Sequence, residues 1–209
     1  MLAEHCFDAA GFASRFAPAL SSDRRTLQRL THSCDLLVRK SNSLSVSPAN
    51  MRGWNRLWSN PKLSVSALKD SHLKVLAESI HRLEVNDITV AIDTSEIPLK
   101  FANRTSDAWF LRGQKHGYLH QAALALNAAN GEVLGLVDSF EWAREKGQLH
   151  RHTNQFRPIY EKESMKWFTS SENVSKFFSS QKSVSFTIVA DSECCIHEFF
   201  AFAKKNDLN

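Results

Sequence analysis

Two aspartates occupy matching places in two short apolar runs. In Asp87–Lys100 (Asp-Ile-Thr-Val-Ala-Ile-Asp-Thr-Ser-Glu-Ile-Pro-Leu-Lys), Ile88, Val90 and Ile92 alternate with Thr89, Ala91 and Asp93. That period of two predicts a strand buried on at least one face. The run stops at Asp93, and Pro98 argues against further central strand. Phe186–Asp191 repeats the design, an apolar β run closed by Asp191. Two strands of one sheet, each delivering an aspartate at its end, can assemble an oxygen-only site for Mg²⁺ or Mn²⁺. The competing role is local, since aspartates at strand ends often serve turns and caps. Asp191 stands where it could cap a helix over Ser192–Lys205. Were the strands neighbours, the carboxylates would repel, and a divalent cation would remove that penalty. Paired ions of this kind clamp the attacking and leaving oxygens of an in-line phosphoryl displacement. The chemistry expected is hydrolysis or transesterification of phosphodiesters.

Other reactive residues offer less. Cys6, Cys34, Cys194 and Cys195 include no Cys-x-x-Cys pair, so reduced thiols in a cytoplasmic protein are expected. Cys194, Cys195 and His197 match no common zinc spacing. His116, His120, His150 and His152 lie in or beside polar segments and read as loop or phosphate-facing histidines. No glycine-rich phosphate loop is present, so nucleotide-triphosphate hydrolysis has no support.

Positioning the two acids requires a sheet, and the chain changes grammar to supply one. Residues 1–84 read as helical: Glu4–Phe16, Asp23–Lys40, Ala49–Ser59 and Val65–Leu83. Ser47-Pro48 reads as N-cap and first helical residue of the third of these, and Asn60-Pro61 ends it. After the first strand and a polar loop over Phe101–Gly117, strands are expected at Tyr118–Asn127 and Val133–Phe140, joined by the Asn130-Gly131 turn. A basic loop, Glu141–Pro158, leads to a helix at Tyr160–Ser171, which Val174–Phe178 prolongs or repeats. A strand at Val184–Ala190 and a helix at Ser192–Lys205 follow. Three strands, a helix, a strand and a helix predict a mixed sheet covered by helices, an α+β or α/β arrangement.

The bulk numbers permit this. The 209 residues are 43% hydrophobic and 23% charged, an ordinary globular balance that supports one large domain or two small ones. A formal charge of +4 permits nucleic-acid binding without demanding it. No apolar run approaches the ~18 residues of a membrane span. No basic stretch followed by an apolar one opens the chain, so no export signal is expected. Arg24, Arg25 and Arg29 fall on about one helix face, with Arg52, Arg56 and Lys62 in or near the third helix. They read either as phosphate contacts of a helical DNA-binding module or as a solvated face.

Several segments, in order, resemble the insertion-sequence-four family of bacterial cut-and-paste DDE transposases, the transposon-five branch most of all. They are Ser22-Asp23-Arg24-Arg25, Trp54–Pro61, Ile92-Asp93-Thr94, Gly117-Tyr118-Leu119-His120, Glu161-Lys162-Glu163-Ser164 with Lys166-Trp167, and Asp191-Ser192-Glu193 with Ile196-His197. The resemblance spans nearly the whole chain. It implies a helical DNA-binding domain over 1–84 and an RNase-H-like catalytic core over 85–209. It implies Asp93 and Asp191 as catalytic metal ligands for Mg²⁺, with Mn²⁺ as substitute. Arg24, Arg25, Arg29, Arg52, Arg56, Lys62 and Arg104 are the expected DNA contacts. Transposon-end DNA is the implied partner, with family enzymes acting as dimers on paired ends in the bacterial cytoplasm and nucleoid.

Two departures limit the carry-over. Ser192 stands where the family usually has an arginine, which removes a phosphate contact. The family's third carboxylate lies on a later helix, in a Tyr-Arg-Glu-Lys signature, and Asn209 comes before any such region. The core is therefore expected to be incomplete. Glu198 lies about 10 Å along a helix from Asp191, and Glu193 sits where a helix-dipole acid commonly stabilises a helix. The expectation is a chain that binds DNA and catalyses nothing alone. The alternatives are a self-contained nuclease with Glu163 as third acid, on the helix between strands three and four, and a poorly folding remnant.

Overall fold

The computed structural model describes residues 24–39, 47–61, 63–99, 109–111, 116–144, 156–181 and 183–206. The expected helix Glu4–Phe16, and Lys62, Arg104, His150 and His152, lie outside them. Contacts divide the chain between Val75 and Leu76 into two compact units.

The described residues of the first unit are helical: α1 (Arg24–Arg39), α2 (Pro48–Trp58) and the first half of α3 (Val65–Arg82). Leu30 and Leu57 are its buried pair, with Leu27, Leu63 and Leu68 packed against them. Ser47 and Pro48 start α2 as expected: the Ser47 hydroxyl accepts from the Asn50 N–H at 3.3 Å, and Pro48 needs no donor at the first turn. Asn60 ties the end of this helix to α1 by donating to Thr26 Oγ1 at 2.8 Å. Among the described residues, no helix is long and apolar enough to cross a membrane.

The second unit is built on a mixed sheet. Its strands are β1 (Asp87–Pro98), β2 (Trp109–Phe110), β3 (His116–Asn127), β4 (Val133–Trp142) and β5 (Ser185–Ala190). The strands β1, β3 and β4 form an antiparallel meander, while β5 pairs with β1 in parallel. Parallel pairing requires a crossover. The crossover contains a 3-10 turn (Ile159–Glu161) and α4 (Met165–Ser179); α5 (His197–Lys205) follows β5. Helices with a mixed sheet in this order make an α+β core.

One sheet face is dry. Ile88, Val90 and Ile92 of β1, with Ala123 and Ala125 of β3, pack beneath Trp167, Phe168, Val174 and Phe178 of α4. Leu76 and Ile80 of α3 and Phe199 of α5 join this core, and Phe168 meets Phe199 edge to face at 5.4 Å.

Four expectations change. β1 does not stop at Asp93 but runs on to Pro98, because β3 continues to pair with it as far as Pro98↔Gly117. Proline is tolerated there as the last strand residue. β3 begins at His116, inside the expected loop, and β2 pairs with its first residues. The crossover helix starts at Met165 rather than Tyr160, because Pro158 seeds a separate 3-10 turn; it then runs unbroken through Val174–Phe178. The last helix is split: Ser192–Cys194 is a 3-10 turn, and Ile196, extended at φ −117° and ψ 141°, caps α5. Cys194 and Ile196 both pack against the core, which holds the backbone away from continuous helix between them.

Candidate functional site

Parallel pairing of β1 and β5 sets the relation of the two aspartates. Their register runs from Asp87↔Ser185 to Ile92↔Ala190, and the next residue on each chain is an aspartate. Asp191 continues the extended path, with φ −74° and ψ 179°. Burial alternates along both strands, so Asp93 and Asp191 fall on the same exposed face, opposite the α4 core. Neighbouring strands lie about 4.8 Å apart, so the two aspartates follow adjoining backbone positions. Asp93 marks the end of pairing with β5, not the end of its own strand.

Each acid is held locally by one oxygen. The Thr94 N–H donates to Asp93 Oδ1 at 2.7 Å, and the Glu193 N–H donates to Asp191 Oδ1 at 2.9 Å. Asp191 thus caps the short 3-10 turn, not the helix expected from Ser192 to Lys205, and it is exposed. Thr94, on the opposite face, donates to Gln121 Oε1. That side chain is wholly buried across the β1–β3 pair, so it anchors β1 beside Asp93.

A second group of charges gathers Glu163, Glu193, Arg144 and Lys166. Arg144 follows β4, and its guanidinium donates to both oxygens of Glu163, Nε to Oε2 at 2.8 Å and Nη2 to Oε1 at 3.0 Å. Lys166, nearly buried in the first turn of α4, donates to Glu193 Oε2 at 3.1 Å. Its ammonium stands 4.9 Å from the Trp167 ring centroid and 5.8 Å from that of Trp142. The bond to Glu163 raises the Arg144 pKa further above its ordinary value; burial opposes this, and the charges of Glu163, Glu96 and Glu193 add to it. Glu163 lies in the turn before α4, not on the helix as expected, because that helix starts late. Both its oxygens are committed to Arg144.

No sequence spacing marked Arg144 or Lys166 as partners of these acids. The pairs span 19 and 27 residues and meet only because β4, α4 and the 3-10 turn converge. Among the described residues, no cluster of three or more His, Cys, Asp or Glu could hold a metal ion. Two carboxylates nevertheless suit Mg²⁺, which keeps several waters and commonly takes one or two carboxylates plus substrate phosphate.

The basic residues expected to meet DNA sit in the first unit. Arg24, Arg25, Arg52 and Arg56 are exposed and Arg29 is half-buried. The imidazole of His32 and the side chain of Asn50 lie 3.3 Å apart, linking α1 to α2.

No family model and no curated protein matches this chain. Among solved structures, a pre-cleavage Mos1 transpososome aligns with a TM-score of 0.29 and 9% identity. The alignment covers 94% of this chain and 57% of that one.

Proposed function

We propose that this chain is a DNA-acting protein of the cut-and-paste transposase type. In this reading, Arg24, Arg25, Arg29, Arg52 and Arg56 of the helical unit contact transposon-end DNA. The sheet unit carries the first two metal-ligand carboxylates of a phosphodiester-cleaving site. The observation that carries the reading is the parallel register that brings Asp93 and Asp191 to adjoining positions on one exposed face. Asp93 and Asp191 would hold Mg²⁺ or Mn²⁺ through their carboxylate oxygens. Such an ion, when bound, supplies an activated water and stabilises charge on the phosphodiester. The chain's own residues orient these acids: the Thr94 and Glu193 N–H groups fix one oxygen of each, and Gln121 with Thr94 steadies the strand.

A self-contained nuclease would need Glu163 as a further ligand. That requires breaking its two-point bond to Arg144 and leaving a half-buried guanidinium without its closest counter-charge. Binding without cleavage is therefore the expected behaviour of the 209-residue chain. The test measures duplex binding by anisotropy across a salt series, then incubates the complex with Mn²⁺. Affinity should fall steeply with salt, about 0.9 log units per log unit for each neutralised phosphate. Charge reversal at Arg24, Arg25 and Arg29 should flatten that slope. Salt-insensitive binding, or a triple variant that behaves like the parent, refutes the DNA reading. Mn²⁺-dependent cutting lost in both Asp93→Ala and Glu163→Ala would establish the nuclease instead.

A further inference from the structure

We propose that α2 is the base-reading helix of the first unit, laying its solvent face in the major groove of duplex DNA, with Arg52 and Asn55 at the centre of the contact. This rests on the DNA reading above and adds where sequence would be recognised.

The argument begins with the helix itself. Pro48–Trp58 contains no acidic residue. Between Arg24 and Val75 the only acids are Asp35 and Asp70, so the surroundings are strongly basic. At 3.6 residues per turn, Leu57, Trp54 and Asn50 mark the inward side of α2. The opposite side presents Arg52 and Asn55, with Arg56 and Ala49 on one flank and Met51 and Trp58 on the other, all exposed. Met51 and Trp58 are 44% and 58% exposed, two large apolar groups along one flank.

This side-chain set suits base edges. Arginine pairs with guanine O6 and N7 through two hydrogen bonds, asparagine pairs likewise with adenine N6 and N7, and apolar groups meet the thymine methyl. The major groove is about 12 Å wide and admits one α-helix. Arg24 and Arg25, on a different helix, remain for phosphates, which position the protein without reading sequence.

Gly53 supplies an independent observation. It stands in the middle of α2, where glycine weakens a helix relative to alanine. A Cβ placed there would meet nothing within 4 Å. Among the described residues, no packing in the unit requires glycine at this position. On the flank beside Ala49 and Arg56, a bare backbone lets the DNA strand bounding the groove come close.

The test presents the full chain with a pool of duplexes carrying randomised central positions and sequences those retained. The wild type should enrich a short motif. Asn55→Ala and Arg52→Ala should each lose preference at one position, with about a tenfold to hundredfold drop on the preferred duplex and an unchanged unfolding temperature. Arg24→Ala should weaken all duplexes alike and keep the motif. Gly53→Leu should fold as well as the parent and bind the preferred duplex at least tenfold more weakly. The same motif enriched by Asn55→Ala and Arg52→Ala, or full affinity in Gly53→Leu, overturns the placement of α2. Salt-dependent binding with no motif also overturns it while leaving the DNA reading standing. Absence of any duplex binding, including preference for a protein ligand instead, overturns both.

Discussion

Gly117→Ala is expected to loosen the part of β1 that lies beyond Asp93. Gly117 pairs with Pro98 on one side and Trp109 on the other, at the start of β3. A Cβ there would collide with the carbonyl oxygen of Ile97 and approach Leu111 Cδ1 at 2.8 Å and Ile97 C at 2.9 Å. The leucine could move aside, but the backbone oxygen belongs to the paired strand and cannot move without breaking register. Forced overpacking costs about 1–3 kcal/mol. Separating the strands there also loses the 2.8 Å bond from Leu99 N to His116 O, worth about 1 kcal/mol. The expected loss is about 2–4 kcal/mol, with the ceiling set by how cheaply the strand end peels away. Urea unfolding of the full chain measures the loss, and amide exchange locates it. Protection should fall between Tyr118 and His120, while Val90 and Ala125 stay protected. Adding Leu111→Ala should not rescue the variant, because the obstacle is backbone. A variant within about 0.5 kcal/mol of the parent, the range of ordinary surface changes, with unchanged exchange, would refute the pairing of β1 beyond Asp93.

Mn²⁺ should raise the unfolding temperature of the chain by mass action, and Asp93→Ala or Asp191→Ala should abolish the rise; protection surviving in both variants would place the ion elsewhere. Glu163→Gln should cost about 1–2 kcal/mol, because Arg144 loses its closest counter-charge while the partial exposure of Glu163 limits the loss; urea titration of the variant alongside Arg144→Gln checks it, and no change in either would make the pair energetically silent. Burial pushes the Cys194 thiol above its ordinary value, with the neighbouring Cys195 adding to the shift. The folded chain therefore holds that proton longer than the unfolded chain, whose thiol titrates at about 8.5. Stability should be level below that pH and decline as pH rises past it, and Cys194→Ala should flatten this decline in unfolding curves taken from pH 7 to 10.

The local features of this protein were legible in its sequence because they are local in cause. Ser47-Pro48 starts α2 through one side-chain bond and one ring, both present in the tetrapeptide. Ile88, Val90 and Ile92 alternate because a strand has two faces and one is dry. Whether β1 and β5 are neighbours stayed open in the sequence, since a three-strand meander has two free edges, and the parallel pairing decided it. What the residues could not state was where pairing ends. Asp93 closes the apolar run but not the strand, because β3, some thirty positions onward, continues to supply partners as far as Gly117. Likewise, Glu163 reads as a free helical acid until the late start of α4 sets it in a turn facing Arg144. The Lys166–Glu193 bond spans 27 residues and depends on the convergence of α4 with the turn after β5. Periodicity and capping are set by a residue's immediate neighbours. Register limits and charge partners are set by whichever distant segment the fold brings alongside, and only the tertiary structure decides that.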